Sequence, residues 1–364
     1  MKTIPAALKL DIEDASNAGL LSTLPPAVVE KDVHITDVLQ ALALMRPCHR
    51  VFLQSPARHA GTPATLEVAT RMVFAGGTCL SKAHGLIERM SEDIDIKVVL
   101  DPVPEGYALP KGQSDRKCLG DLYQHIEREM LGLGFALVQG DGVENPEIRN
   151  NRRHCGLALA YSGQFQDVAG ALRPQLKLEL MHRHPLLPLE MRELGYLLDT
   201  MVPGVLPQRF TMPVISVAET LAEKVLAFLR RSARGQGTSP SALADDTLVR
   251  HVYDVWRIAH EQPQAIEAAL NVFATLVARE VNEYGVQDVS FAQSPCTVLR
   301  TALGHVRAQG NIQKHFEVRL KPLLFAAERP EFDTCFDVFS TVAAKLLDAC
   351  RQPSITARHA ALAG

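Results

Sequence analysis

Asp93 and Asp95, in the run EDIDI at residues 92–96, are two carboxylates spaced to share one face of a β-strand, with Ile94 and Ile96 on the other. Like charges held this close are costly unless a cation sits between them. Mg²⁺ suits the place, with Mn²⁺ as its substitute: it takes oxygen ligands, keeps several waters, and is commonly shared between one or two carboxylates and substrate phosphates. Upstream, Gly76 and Gly77 follow the apolar run Met72 to Ala75, which reads as a buried strand. A Gly-Gly turn permits positive φ and lets an anion approach backbone N–H groups without a Cβ in the way. Thr78 is placed to cap a helix running through Leu80 to about Arg89, with Ser81 and Lys82 in its first turn and its N-terminus aimed at a phosphate. A phosphate cradle followed by a carboxylate pair is the plan of a metal-nucleotide site for phosphoryl or nucleotidyl transfer.

The stretch FAGGTCLSK at 74–82 with GLIERMSEDIDI at 85–96 resembles the first motif of the AbiEii/AbiGii toxin family of nucleotidyltransferases, within the DNA polymerase beta-like superfamily. The resemblance extends upstream to Val29, Glu30, Lys31 and Asp32 and downstream, in pieces, to about Ile258, fading in the last third. Three later segments fit the same plan. In QLKLELM at 175–181, Leu176, Leu178 and Leu180 alternate with Gln175, Lys177 and Glu179, a strand with one polar face. The resemblance makes Glu179 the third carboxylate, which joins in metal binding and helps deprotonate the acceptor; Lys177, on the same face, is within reach of a charge on a neighbouring strand.

In VAETLAEKVLAFLRR at 217–231, Ser216 and Glu219 form a capping box, and Leu221, Val225 and Phe228 make a core stripe with Lys224 at its margin. By resemblance Lys224 contacts the nucleotide's phosphates. The run RHVYDVWRI at 250–258 matches the family's Arg-x-x-Tyr-Asp-Leu pattern, with Val255 in place of the leucine. Its apolar face is Val252, Val255 and Trp256, and Asp254, which need not be buried, would orient Lys224 by a charged hydrogen bond. The candidate catalytic residues are therefore Asp93, Asp95, Glu179, Lys224 and Asp254. Asp93, Asp95 and Glu179 are the candidate metal ligands, and Gly76, Gly77, Thr78, Ser81 and Lys82 would hold the triphosphate.

To position these groups the chain is expected to fold as α+β. Residues 1–210 form a nucleotidyltransferase-type mixed β-sheet lobe with flanking helices, among them Pro26 to Met45 and Asp121 to Gly132. Residues 211–364 form a helical C-terminal lobe that contributes Lys224 and Asp254 to the cleft. Apolar spacing near three and four predicts helices over Ala265 to Glu283, Leu299 to Val306, Ile312 to Leu320 and Phe332 to Arg351. Residues 232–245, rich in Gly and Ser, read as a mobile loop, and 352–364 as a fraying tail.

Bulk properties agree with a soluble, cytoplasmic enzyme. The 364 residues are 47% hydrophobic with no run long enough to span a membrane, and the N-terminus lacks a signal-peptide core. Seven scattered cysteines without a C-x-x-C pair argue against a disulfide framework or structural zinc, and Cys79 reads as a packed helix residue. A formal net charge of -3 excludes a uniformly basic coat, yet local clusters could serve a nucleic-acid groove: Arg149, Arg152, Arg153 and His154; His182, Arg183 and His184; Arg230 and Arg231.

The expected reaction moves a nucleoside monophosphate from an NTP to an acceptor hydroxyl, with pyrophosphate leaving. The resemblance implies the toxin of a bacterial toxin-antitoxin or abortive-infection pair, an RNA acceptor at the 3′ end of tRNA, and a separately encoded antitoxin. Two other readings share the same residues: a small-molecule nucleotidyltransferase of the antibiotic-modifying kind, and a non-catalytic nucleotide- or RNA-binding protein.

Overall fold

Alternating apolar residues carry the strands of the first half into one mixed sheet. The computed structural model describes residues 1–54, 62–140, 144–166, 172–173, 175–234, 248–306, 311–326 and 329–350. The loop predicted over 232–245 lies outside the described residues except for Ser232 to Arg234, which are helical, and the predicted tail lies wholly outside. The chain divides into two units. One comprises Met1–Ala83, Met90–Pro185 and Leu189–Ile215; the other comprises His84–Arg89, Leu186–Pro188 and the chain from Ser216 onward.

In the first unit, helices α1 (Ala6–Asn17) and α2 (Pro26–Leu44) precede strands β1 (Cys48–Leu53) and β2 (Thr65–Ala75), and the short helix α3 (Gly76–Lys82) leads to β3 (Asp93–Leu100). Then come β4 (Tyr107–Ala108), α4 (Asp115–Gly132), β5 (Ala136–Leu137), β6 (Glu147–Arg149), β7 (His154–Ala160), β8 (Gln175–His182), β9 (Glu190–Gly195), α5 (Leu197–Met201) and β10 (Arg209–Val214). The strand order is β4-β1-β2-β3-β8-β7-β5, with β10 joining β2 to β9 and β6 beside β7. β3 runs antiparallel to β2 and parallel to β8, so the sheet is mixed. Ile94, Ile96, Leu176, Leu178 and Leu180 are fully buried and form the centre of its apolar face.

The second unit is helical: α6 (Val217–Arg234), α7 (Val249–Glu261), α8 (Gln264–Tyr284), α9 (Val289–Gln293), α10 (Pro295–Val306), α11 (Asn311–His315) and α12 (Phe332–Ala349). Its core includes a chain of aromatic contacts in which Phe228 meets Phe339 edge-on at 4.6 Å and Phe332 stacks on Phe336 at 5.2 Å. The helix predicted over Ile312 to Leu320 is α11 followed by a wider turn, Phe316–Leu320. No described helix is long and apolar enough to cross a membrane.

Two local expectations are corrected. The helix after the glycine turn stops at Lys82 instead of reaching Arg89. Gly85 takes φ +62°, and the next backbone groups are claimed elsewhere: Phe325 N–H donates to the Glu88 carbonyl and Arg89 bridges to Leu324. Thr78 does not cap that helix. Ala75 holds the capping position, while Thr78 is buried and its hydroxyl donates to the Asp93 carbonyl at 2.5 Å, tying α3 to the start of β3.

Candidate active site

Asp93 and Asp95 project from the polar face of β3, and the parallel register sets Glu179 of β8 directly beside Asp95. Side chains at paired positions share a face, so all three carboxylates stand on one surface, and those of Glu179 and Asp95 are within hydrogen-bonding reach. On the other side, Ala75 pairs with Asp95, which brings the glycine turn against the carboxylate: Gly76 has φ +76°, and a Cβ there would lie 1.8 Å from Asp95 Oδ2. The close approach therefore requires glycine twice over, for conformation and for space.

Each outer carboxylate already has a cation. Arg173 Nη1 donates to Asp93 Oδ1 at 2.6 Å. Lys177 pairs with Glu179 on its own strand. Desolvation would raise the Glu179 pKa, but the Lys177 ammonium, together with His154 and a hydrogen bond with Asp95, outweighs it and holds the carboxyl below its ordinary value. Lys82, placed among the phosphate contacts, pairs with Asp32 of α2 at 2.6 Å. Ser81 is partly exposed at the end of the turn, and Cys79 is fully buried, with its thiol pKa pushed up by burial as befits a packing residue.

The first unit also holds a buried polar layer whose contacts no local sequence pattern shows. Glu30, Lys31 and Asp32 occupy consecutive positions in the buried first half of α2. Glu30 accepts from Gln164 N–H at 2.8 Å and Phe165 N–H at 3.1 Å, and Asp32 accepts from Leu197 N–H at 2.8 Å as well as Lys82. Lys31 donates to Glu92 at 2.5 Å and to the Arg173 carbonyl at 2.6 Å, while Arg173 N–H donates to Glu92 at 2.7 Å. The signal was present: apolar residues surround these three charges, so a helix there cannot turn all of them to water.

The second unit assembles its own charged cluster. Lys224 Nζ of α6 lies 2.6 Å from Asp254 Oδ2 of α7, and Arg89 grips the same carboxylate through both oxygens, at 2.7 and 2.6 Å. Asp254 is fully buried, not merely near the apolar face. Desolvation works against its charge, but Arg89 and Lys224 together hold its pKa well below the usual carboxylate range. Beside it, both His251 ring nitrogens are shielded from solvent without a hydrogen-bond partner, and burial among these cations keeps the ring neutral. Ser216 Oγ accepts from Glu219 N–H at 3.2 Å, as a cap should, but the Glu219 carboxylate accepts from the N–H groups of Leu186 and Leu187 at 2.8 and 2.9 Å. Arg230, offered by the sequence to a nucleic-acid groove, pairs with Glu280 at 2.6 Å and lies over Tyr284 at 4.0 Å.

The donor set of the carboxylate face fits Mg²⁺, since Asp93, Asp95 and Glu179 offer only hard oxygen atoms. Among the described residues no three His, Cys, Asp or Glu side chains converge on one cation position.

The chain is similar to MenT4, a nucleotidyltransferase toxin from Mycobacterium tuberculosis H37Rv whose structure is solved, with 17% identity over 99% of each chain and a TM-score of 0.47. No curated protein matches it. The family model described as nucleotidyl transferase AbiEii toxin, type IV toxin-antitoxin system, matches residues 64–338. The match begins after α2 and continues through α7, α8 and α10 into α12, so the resemblance extends well past Ile258. With about three quarters of its length matched, the chain belongs to the AbiEii family of nucleotidyltransferase toxins of type IV toxin-antitoxin systems.

Proposed function

We propose that this toxin transfers a nucleoside monophosphate from an NTP to the 3′-hydroxyl of an RNA, tRNA being the acceptor the family resemblance favours. The observation that carries the reading is the register of Asp93, Asp95 and Glu179 on one sheet face, with the Gly76 turn packed against Asp95. In the reaction a bond forms between the acceptor oxygen and the α-phosphorus, and the bond to the pyrophosphate oxygen breaks. Glu179, kept ionised by Lys177, accepts a hydrogen bond from the attacking hydroxyl and takes its proton. Gly76, Gly77, Thr78, Ser81 and Lys82 line the turn that meets the phosphates, and Lys224, oriented by Asp254, is a further phosphate contact by resemblance. Mg²⁺ or Mn²⁺ would be held by Asp93, Asp95 and Glu179 and would supply charge neutralisation at the transferred group and the leaving pyrophosphate. A separately encoded antitoxin restrains the activity.

The test is incubation of the protein with each labelled NTP, Mg²⁺ and either total tRNA or aminoglycosides, beside Asp95→Asn. Label on tRNA that disappears in the variant supports the proposal. Label on the small molecule instead overturns the acceptor, and NTP binding without transfer to either overturns the enzymatic reading.

A further inference from the structure

Arg173 stands in the first unit with its backbone gripped from both sides. Its carbonyl accepts from Lys31 Nζ and its N–H donates to Glu92 Oε2, and those two side chains form a buried ion pair, 0% and 2% exposed. Both partners are distant in sequence, one on α2 and one at the residue before β3. A buried ion pair is costly unless its remaining donors and acceptors are satisfied, and here part of that satisfaction is the peptide backbone of Arg173. The result is directional: the guanidinium is delivered to Asp93 Oδ1 at 2.6 Å.

Asp93 is the carboxylate immediately after Glu92, so one short stretch of chain both anchors the arginine's backbone and receives its side chain. Arginine is always charged and presents its donors in a planar fork that matches carboxylate oxygens. A divalent ion at Asp93 draws on the same carboxylate and meets a fixed positive charge at its Oδ1. Lys177 on Glu179 repeats the arrangement on β8, so internal cations already neutralise two of the three carboxylates.

We propose that Arg173 is the resident counter-cation of Asp93, a positioning residue that holds the carboxylate in place and competes with the divalent ion for it. This rests on the reading of Asp93, Asp95 and Glu179 as a divalent-cation site. The consequence is a carboxylate face that stays neutralised without metal and takes up the bare ion weakly.

The measurement is Mn²⁺ binding to the full chain without nucleotide, read from the EPR signal of free Mn²⁺, for the unaltered protein, Arg173→Gln, Arg173→Lys and Asp93→Asn. The Arg173 side chain is 36% exposed and its anchoring contacts are made by the backbone, so both arginine variants are expected to retain the fold. Arg173→Gln is expected to bind Mn²⁺ roughly threefold to tenfold more tightly, the scale of a partly exposed ion pair acting on a divalent ion. Arg173→Lys stays within about twofold of the unaltered protein, because the charge remains, and Asp93→Asn loses affinity. Structural damage would weaken binding, so a gain is diagnostic. Equal or weaker binding by Arg173→Gln overturns the inference and leaves the metal site standing. If no form binds Mn²⁺, the metal-site reading falls and the inference falls with it.

Discussion

A Cβ on Gly76 would fall 1.8 Å from Oδ2 of Asp95, so the glycine turn and the second carboxylate of the pair leave no room for a side chain between them. Gly76→Ala must therefore push Asp95 away and also adopt φ +76°, a conformation that costs an L-residue about 1–2 kcal/mol. The expected outcome is a thermal midpoint lowered by a few degrees and a transfer rate reduced on the order of 10²-fold, since small misplacements of reacting groups have effects of that size. Retained activity in labelled-NTP transfer would show that Asp95 need not stand where it does.

Asp254 is shared by Arg89 and Lys224, which makes the three positions unequal. Lys224→Ala leaves the Arg89–Asp254 pair intact, so transfer should be lost while the urea midpoint stays near its original value. Asp254→Ala strands two cations that are 2% and 8% exposed, and breaking a buried pair in this way costs about 3–5 kcal/mol. The carboxyl's lowered pKa gives this stabilisation a sign in pH: it is full above the unfolded value near 4 and fades as pH falls below it. Acid titration of the unaltered protein against Asp254→Asn, followed by circular dichroism, measures the difference.

Lys31 and Glu92 carry a prediction of their own. Lys31→Met leaves Glu92 charged and buried, held only by Arg173 N–H among the contacts described above, and should destabilise by about 3–5 kcal/mol. The double substitution Lys31→Met with Glu92→Leu removes the stranded charge and should recover part of that loss. A double-mutant cycle in urea gives the coupling directly, and additivity of the two single losses would contradict the pairing.

His34, also on α2, is fully buried, with its ring 4.4 Å from that of Tyr161. Burial, helped by the charge of Lys2, lowers its pKa from 6.5 to about 4. The folded state then binds fewer protons than the unfolded chain between those values, so stability is full above pH 6.5 and declines as pH falls toward 4, by up to about 3 kcal/mol. His34→Gln should flatten that part of the stability profile, and an unchanged slope in urea unfolding between those pH values would contradict it.

Much of the plan was legible along the chain. The alternation of Leu176, Leu178 and Leu180 with Lys177 and Glu179 announced a strand with one polar face, and the spacing of Asp93 and Asp95 put both on one side of another, because strand periodicity is a local property of the backbone. Apart from the short α9, the helices of the second unit followed equally from apolar spacing, with boundaries off by a few residues. The end of α3 was not legible, because the backbone of Glu88 and Arg89, where the apolar pattern continues a helix, pairs instead with Phe325 and Leu324, far along the chain. Nor was α1, whose weakly patterned residues gave no clear periodic stripe.

The sequence by itself determined which residues can do chemistry, and the family motif from Phe74 to Ile96, because these depend on side-chain types at short spacing. The tertiary structure decided the partners. Only strand register brings Glu179 beside Asp95, only the fold sets Arg89 on Asp254, and only the packing of α2 turns Glu30, Lys31 and Asp32 into a buried scaffold for Asp93 and Lys82. A charge gives no local sign of its partner, since salt bridges between distant segments depend on where the backbone returns and on which groups burial obliges to pair.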